Sequence, residues 1–154
     1  MQAWYRWIDR ELDRPVPRPR DEAMSDGEWN AWVGRTGERL AAKYLWRTGR
    51  RVLYRNFRPK EGGEVDLVYR EGDLLVFGEV KTRTRGEFGD PARSVTRGKE
   101  KLVIRGANAW LRELNYPEVL FRFDIIEVLL PAGGPAKIQV IENAFTTPQR
   151  GLGM

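Results

Sequence analysis

The residues best suited to chemistry are the acidic side chains gathered within residues 62–83. Glu64 and Asp66 lie in one run rich in valine, leucine and aromatic residues, and Glu79 and Lys81 lie in the next run. Two carboxylates about 5 Å apart repel by roughly 3 kcal/mol at an effective dielectric constant near 20. Three carboxylates and an ammonium close together therefore imply a bound cation, a shared proton or full solvation.

The elements that must position these groups form a predicted β-hairpin. Gly72-Asp73, between the two runs, is typical of a two-residue hairpin loop. This loop sets a register in which Asp66 faces Glu79 and Glu64 faces Lys81. Because side chains alternate along a strand, the four charged groups are expected on one face. The other face is expected to carry Val65, Leu67, Tyr69, Val76, Gly78 and Val80.

The composition restricts the chemistry further. The chain has 154 residues and contains neither cysteine nor histidine, which excludes disulfides and both thiolate and imidazole metal ligands. Any metal must then be held by oxygen, which favours Mg²⁺ or Mn²⁺ over zinc. The net charge of +5 suits a polyanionic partner such as a nucleic acid.

Targeting signals are not recognisable in the sequence. No apolar run approaches the roughly 18 residues of a membrane span, and the N-terminus lacks the apolar core of a signal peptide. The simplest expectation is a cytoplasmic location with no membrane partner.

The chain divides into three predicted parts. Residues 1–24 are expected to form an arm with a proline- and arginine-rich linker, residues 25–147 a single domain, and residues 148–154 a flexible tail. The arm begins with a short amphipathic pattern of Trp4, Ile8 and Leu12. Its linker, which contains Pro15, Pro17 and Pro19, is expected to be extended and outside the core. Met24 is an alternative start site.

The domain alternates helical and extended patterns. The order is helix, three strands, helix and two strands, which predicts an α/β fold with a mixed five-stranded sheet flanked by helices. The predicted helices cover residues 26–48 and 96–114, and the strands cover residues 51–57, 64–69, 74–81, 119–130 and 137–145. Glu38 borders the apolar stripe of the first helix, and Lys99 lies on the inward line of the second. Residues 84–95 are expected to form a mobile loop.

The sequence resembles known proteins at two levels, in a short motif and in a longer family pattern. Asp66, twelve residues and then Glu79-Val80-Lys81 resemble the core motif of the PD-(D/E)xK restriction-endonuclease-like nucleases. From about Gly34 to Phe145, the chain is similar to the YraN-like family of small uncharacterised bacterial proteins, which itself resembles the archaeal Holliday junction resolvases. The matching segments are Gly37-Glu38, Arg55-Asn56-Phe57, residues 63–68, residues 76–83, Val95-Thr96-Arg97 with Lys99, Arg122-Phe123-Asp124 and Asn143-Ala144-Phe145. Val65 stands where the nuclease motif has proline, and Gly78 stands where the YraN-like family usually has valine. The change at Gly78 is expected to alter only the packing.

The resemblance implies a restriction-endonuclease-like core and a role for each matching residue. The implied catalytic residues are Asp66, Glu79, Lys81 and Glu38. The implied metal ligands for Mg²⁺ or Mn²⁺ are Asp66, Glu79 and the Val80 carbonyl, with Glu38 as a further candidate. The implied contacts with nucleic acid come from Thr82, Arg83, Arg85 and Lys99, and Glu64 would tune the site from its rim.

The function expected from these residues is metal-dependent endonucleolytic hydrolysis of DNA, including branched or structured DNA, with RNA the less favoured substrate. The alternative from another class is a non-catalytic nucleic-acid-binding or scaffolding protein with the same fold. A third interpretation takes the acidic cluster as solvated salt bridges at the end of a sheet. A homodimer would match the two-fold symmetry of a junction substrate and stays open.

Overall fold

The sheet and its two helices follow the predicted order. The computed structural model describes residues 10–19, 23–89 and 95–147. Its elements are α1 (Asp26–Arg47), β1 (Arg51–Phe57), β2 (Val65–Glu71), β3 (Leu74–Arg83), α2 (Arg97–Glu113), β4 (Phe121–Leu129) and β5 (Lys137–Phe145). The strands lie in the order β1-β2-β3-β4-β5. Only β3 and β4 are parallel, because α2 carries the chain back across the sheet between them. The prediction of a mixed five-stranded sheet is confirmed.

Both helices begin at polar caps that the sequence contains. The Ser25 side chain accepts a hydrogen bond from the Glu28 amide, and the Glu28 carboxylate accepts one from the Ser25 amide, which forms a capping box. The Thr96 side chain accepts a hydrogen bond from the Lys99 amide and so caps the N-terminus of α2. This cap fixes the first turn of α2, the turn that carries Lys99.

The hairpin has the predicted register, with one correction at its start. Leu67 pairs with Gly78, and the ladder continues in step to the turn. However, β2 begins at Val65, so Glu64 lies in the preceding loop and not opposite Lys81 within the ladder. Val65 also breaks the expected alternation, because it packs in the core cluster against α2 instead of with Leu67.

The core consists of two apolar layers, one on each face of the sheet. The layer against α1 includes Leu40, Leu45, Leu67, Tyr69, Val76 and Ile126. The layer against α2 includes Val65, Val68, Phe77, Val103, Phe123 and Phe145. The central strands are covered on both faces and are nearly continuously apolar for that reason. Charged residues that remain buried on them, such as Asp66 and Glu79, therefore stand out.

The N-terminal arm, described over residues 10–19, lies against the domain. Leu12 is only 6% exposed and belongs to the core layer beside α1. Val16 is partly buried against the same layer, so the expectation that the linker stays outside the core holds only in part. Three predicted features lie outside the described residues. They are the apolar positions Trp4 and Ile8, residues 90–94 of the predicted mobile loop and the predicted tail 148–154. Within the described ranges, no helix is both long and apolar enough to cross a membrane.

Candidate active site

The centre of the candidate site is an acid pair, Asp66 and Glu79, on the adjacent strands β2 and β3. Their carboxyl groups lie close enough for each to shift the pKa of the other, and Asp66 Oδ2 accepts a hydrogen bond of 2.9 Å from the Val80 amide. The two residues are 5% and 4% exposed. The predicted register therefore brings the two acids together in a nearly dry position.

Burial and mutual repulsion hold this pair partly protonated. Burial, followed by the negative charge of Asp66, raises the pKa of Glu79 to about 8. Burial also raises the pKa of Asp66, and the Val80 amide opposes that rise only in part. Two carboxyl groups in contact cannot both ionise cheaply, so they share a proton unless a cation neutralises them.

The pair has the donor chemistry for a hard divalent cation. Glu79 Oε2 is buried and has no hydrogen-bond partner in the described part of the chain, which leaves an oxygen lone pair free for a ligand. Carboxylate oxygens are the donors that Mg²⁺ and Mn²⁺ prefer. No group of three or more acidic residues within the described ranges lies close enough to hold a metal by itself. Additional ligands would therefore come from the backbone, water or substrate.

Lys99, from the first turn of α2, is the ammonium that lies closest to this pair among the described contacts. Its Nζ is 3.4 Å from Glu79 Oε1 and 3.8 Å from Glu64 Oε2. Burial alone would lower the pKa of Lys99, but the carboxylates of Glu79 and Glu64 outweigh it and raise that pKa. Lys81 follows Glu79 on the same face of β3, yet its side chain is exposed and forms no polar contact with any described residue.

Glu64 lies beside the acid pair, and its ion-pair partners are Arg58 and Lys99 instead of Lys81. Its carboxylate pairs with Arg58 at 3.0 Å and with Lys99. Its amide donates a 3.0 Å hydrogen bond to the Leu102 carbonyl of α2. This close approach depends on Gly106, where a Cβ atom would lie 2.8 Å from Val65 and 3.1 Å from the Glu64 amide. The glycine in α2 thus positions Glu64 and the lysine together.

Glu38 approaches the site from α1, on the other face of the sheet. Burial, followed by the negative charge of Asp66, raises the pKa of Glu38, and a hydrogen bond with Asn56 opposes the rise. The preceding residue, Gly37, packs directly on β3, where its Cβ atom would come within 2.8 Å of Thr82 Cβ. The small residue lets α1 approach the strand and carries Glu38 to the edge of the site.

The proposed phosphate-contacting residues lie around the end of β3. Thr82 and Arg83 are partly buried in the strand, and Arg85 is exposed in the loop that follows. The Arg83 guanidinium faces Gly89, where a Cβ atom would lie 2.8 Å from it. Of the predicted contacts, Lys99 lies beside the acids, and Arg85 is exposed in the loop that follows β3.

Sequence reasoning missed Asn56 and Arg58 as partners of the site. Asn56 adopts a positive φ of 54° in β1 and hydrogen-bonds Glu38, whereas Arg58 pairs with Glu64. An asparagine inside an apolar strand pattern was the available signal, because asparagine tolerates this backbone conformation better than most residues.

A second buried acid, Asp124, belongs to a structural network. Its carboxylate accepts hydrogen bonds from Arg122 Nε at 2.6 Å, from the Tyr69 hydroxyl at 2.6 Å and from the Asn143 amide at 3.0 Å. All of the hydrogen-bonding capacity of the Asp124 carboxylate is used by groups of the protein itself. Arg122 and Asp124 form an ion pair on β4 in which the Asp124 side chain is fully buried. Gly78 provides the space, since a Cβ atom there would lie 3.0 Å from the Tyr69 ring.

Comparison with known proteins identifies relatives that match this chain over most of their own length. Residues 37–128 match the profile of the uncharacterised protein family UPF0102. A UPF0102 protein of Trichlorobacter lovleyi is 43% identical over 120 residues, which cover 77% of this chain and 94% of the relative. One from Geobacter sulfurreducens is 43% identical over 116 residues, covering 75% of this chain and 90% of the relative. One from Chlorobaculum parvum is 48% identical over 98 residues, covering 64% and 75%.

Proposed function

The chain belongs to the UPF0102 family, which is the YraN-like family that its motifs resemble, and we propose that it is a metal-dependent endonuclease acting on DNA. The single observation that carries this proposal is the buried acid pair with a partnerless Glu79 oxygen. Buried acids held at a raised pKa without a complete set of partners are typical of functional sites. The restriction-endonuclease-like core and the likeness to junction resolvases remain part of the proposal.

The residues of the acid pair, with the Val80 carbonyl, would hold Mg²⁺ or Mn²⁺. When bound, the ion would neutralise charge on the phosphodiester and favour ionisation of an attacking water. Lys99 is placed to hold a phosphate oxygen or to stabilise charge that develops there, because its ammonium already lies among the carboxylates. Glu38, whose pKa is raised, is placed to exchange a proton at the edge of the site. Lys81, which the family resemblance implies as a catalytic residue, would orient the attacking water.

The substrate side of the proposal rests on charge. The chain carries a net charge of +5, and Arg58, Arg85 and Lys99 surround the acid pair or follow it. Such cations would bind the phosphate backbone without reading its sequence. Branched or structured DNA is the proposed substrate class, with RNA second. The proposal includes a cytoplasmic location.

A non-catalytic nucleic-acid-binding function is the second candidate, and one contact favours it. The ammonium of Lys99 lies 3.4 Å from Glu79 and neutralises part of the acid pair without any metal. A protein that had lost turnover would be expected to keep this ion pair and its fold while binding nucleic acid.

The test is nicking of linear, flap and four-way DNA substrates with Mg²⁺, with Mn²⁺ and with chelator. Asp66→Asn and Glu79→Gln are expected to reduce cleavage to the level with chelator. Lys99→Met is expected to reduce it more than Lys81→Met, because, of these two lysines, it is Lys99 whose ammonium lies within 3.4 Å of Glu79. Glu113→Gln, at an exposed position of α2, is the matched control and should cut like the wild type.

The outcomes separate the candidates. If Asp66→Asn and Glu79→Gln cut as well as the wild type, the assigned site does not perform the reaction. If no DNA or RNA is cut but binding persists and weakens with salt, the non-catalytic function is supported.

A further inference from the structure

A row of positive side chains runs along the outer flank of α1. Arg35, Arg39, Lys43 and Arg47 recur every fourth residue, so they follow one another along the helix surface as a basic stripe. At a rise of 1.5 Å per residue, the stripe is about 18 Å long. One DNA strand carries about five phosphates over this length. The stripe therefore has the charge and the extent of a phosphate-backbone surface.

The N-terminal arm covers most of this stripe with acids. Glu11 pairs with both Arg39 and Lys43, and Asp13 Oδ1 accepts a hydrogen bond of 2.9 Å from Arg47. Two carboxylates thus pair with three consecutive cations of the stripe. Arg35 is exposed and forms no ion pair with any residue in the part of the chain that is described.

The arm is held in place by contacts that do not involve these acids. Leu12 is buried in the core layer against α1, and the Val16 amide donates to the Gly134 carbonyl at 3.4 Å. The Arg18 guanidinium donates to the Leu130 carbonyl at 2.7 Å and lies 5.8 Å from the centre of the Trp29 ring. Exposed ion pairs contribute little to stability, so the acids are not needed as anchors.

The uncovered end of the stripe lies beside Glu38, at the edge of the candidate site. Arg35 and Arg39 line a cavity of about 490 Å³ together with Glu38, Arg55 and Asn56. Glu38 in turn lies close enough to Asp66 for the two charges to interact. A nucleic-acid strand lying on the stripe would thus continue toward the acid pair.

We propose that the basic stripe binds the phosphate backbone of nucleic acid and that the acidic residues of the arm occupy it in its absence. Glu11 and Asp13 take the place of phosphates, and the anchors keep them close to the stripe. Nucleic acid must displace the carboxylates, which lowers its affinity in the resting protein. This inference rests on the proposed nucleic-acid function and adds to it a surface and a competing segment.

The experiment compares full-length Glu11→Gln/Asp13→Asn with the wild type in binding a labelled DNA duplex and an RNA duplex over a range of KCl concentrations. The double variant removes the two competing charges and retains Leu12. Its affinity at low salt is expected to rise about tenfold, and the slope of log K against log[KCl] should steepen by about 2 to 3 as three more cations meet phosphates. Catalytic metal is omitted, so the result does not depend on cleavage.

Two controls complete the design. Glu113→Gln/Glu118→Gln removes the same charge from exposed positions at the end of α2 and just after it, and it should keep the wild-type slope. Adding Arg39→Gln and Lys43→Gln to the arm variant should bring its slope back to within about 1 of the wild type, because of the three uncovered cations Arg47 remains. Unfolding midpoints verify that each variant is folded.

The inference is overturned if the arm variant binds the duplex no more tightly than the control variant does. It is also overturned if the gain in affinity persists when Arg39 and Lys43 are replaced. It is also overturned if a polyglutamate chain competes as well as the duplex, since the stripe would then recognise acidic protein. Improved binding without cleavage by any form would support the stripe while contradicting the proposed nuclease.

Discussion

Replacement of Glu79 by glutamine tests the protonation of the acid pair directly. Glutamine has nearly the same shape and can hydrogen-bond Asp66, but it cannot ionise. In the wild type, Glu79 has its pKa raised from 4.5 to about 8 by burial and by the charge of Asp66. The folded protein therefore binds a proton that the unfolded chain releases over this pH range.

The sign and size of the effect of Glu79 ionisation on the free energy of unfolding follow from proton linkage. Because the folded state binds more protons than the unfolded state between the two pKa values, stability falls as pH rises through this window. One proton corresponds to about 1.4 kcal/mol per pH unit. Between about pH 6 and about pH 8, Glu79 can thus lower the free energy of unfolding by at most about 3 kcal/mol. Glu79→Gln should lack this slope.

The assay is denaturant unfolding in the presence of chelator, followed by tryptophan fluorescence, at several pH values. The stability of Glu79→Gln relative to the wild type is expected to increase as pH rises. Glu113→Gln, an exposed control, should show the wild-type dependence. Equal pH slopes for the wild type and Glu79→Gln would refute the reasoning, because Glu79 would then ionise as it does in the unfolded chain.

Addition of Mg²⁺ or Mn²⁺ extends the same measurement to the metal site. A cation that binds only the folded, ionised pair should stabilise the wild type by about 2.7 kcal/mol at a concentration one hundred times its dissociation constant. This gain should grow with pH, since protons compete for the same oxygens, and it should be strongly reduced in Glu79→Gln. Equal stabilisation of both proteins would place the metal elsewhere.

Three further predictions concern the packing around the site. Leu12→Ala should destabilise the protein by about 2–5 kcal/mol in denaturant unfolding, because the residue is 6% exposed; no loss would show that the arm is not docked in solution. Gly37→Ala should cost about 1–3 kcal/mol through its clash with Thr82, and Thr82→Gly should relieve that cost in a double-mutant cycle. Tyr69→Phe should cost about 1–3 kcal/mol by removing a 2.6 Å hydrogen bond to buried Asp124, whereas a neutral result would mean that water replaces the hydroxyl.

The sequence by itself determined the order of elements and the pairing of the two acids. Period-two and helical patterns distinguish strands from helices, and the Gly72-Asp73 turn sets the hairpin register, so the position of Asp66 beside Glu79 follows from local rules. The absence of histidine and cysteine likewise limited any metal ligand to oxygen. These inferences depend on neighbours along one chain segment.

Tertiary structure alone decided which cation contacts the acids. Both Lys81 and Lys99 were candidates by position, but only the packing of α2, with Gly106 against the Glu64 loop, brings Lys99 within 3.4 Å of Glu79. The pairing of Glu11 and Asp13 with α1 was equally invisible, because the arm and helix are separated in sequence and long charged side chains have no preferred partner until the backbone is folded. Local patterns specify elements, whereas contacts between elements depend on how closely their surfaces approach.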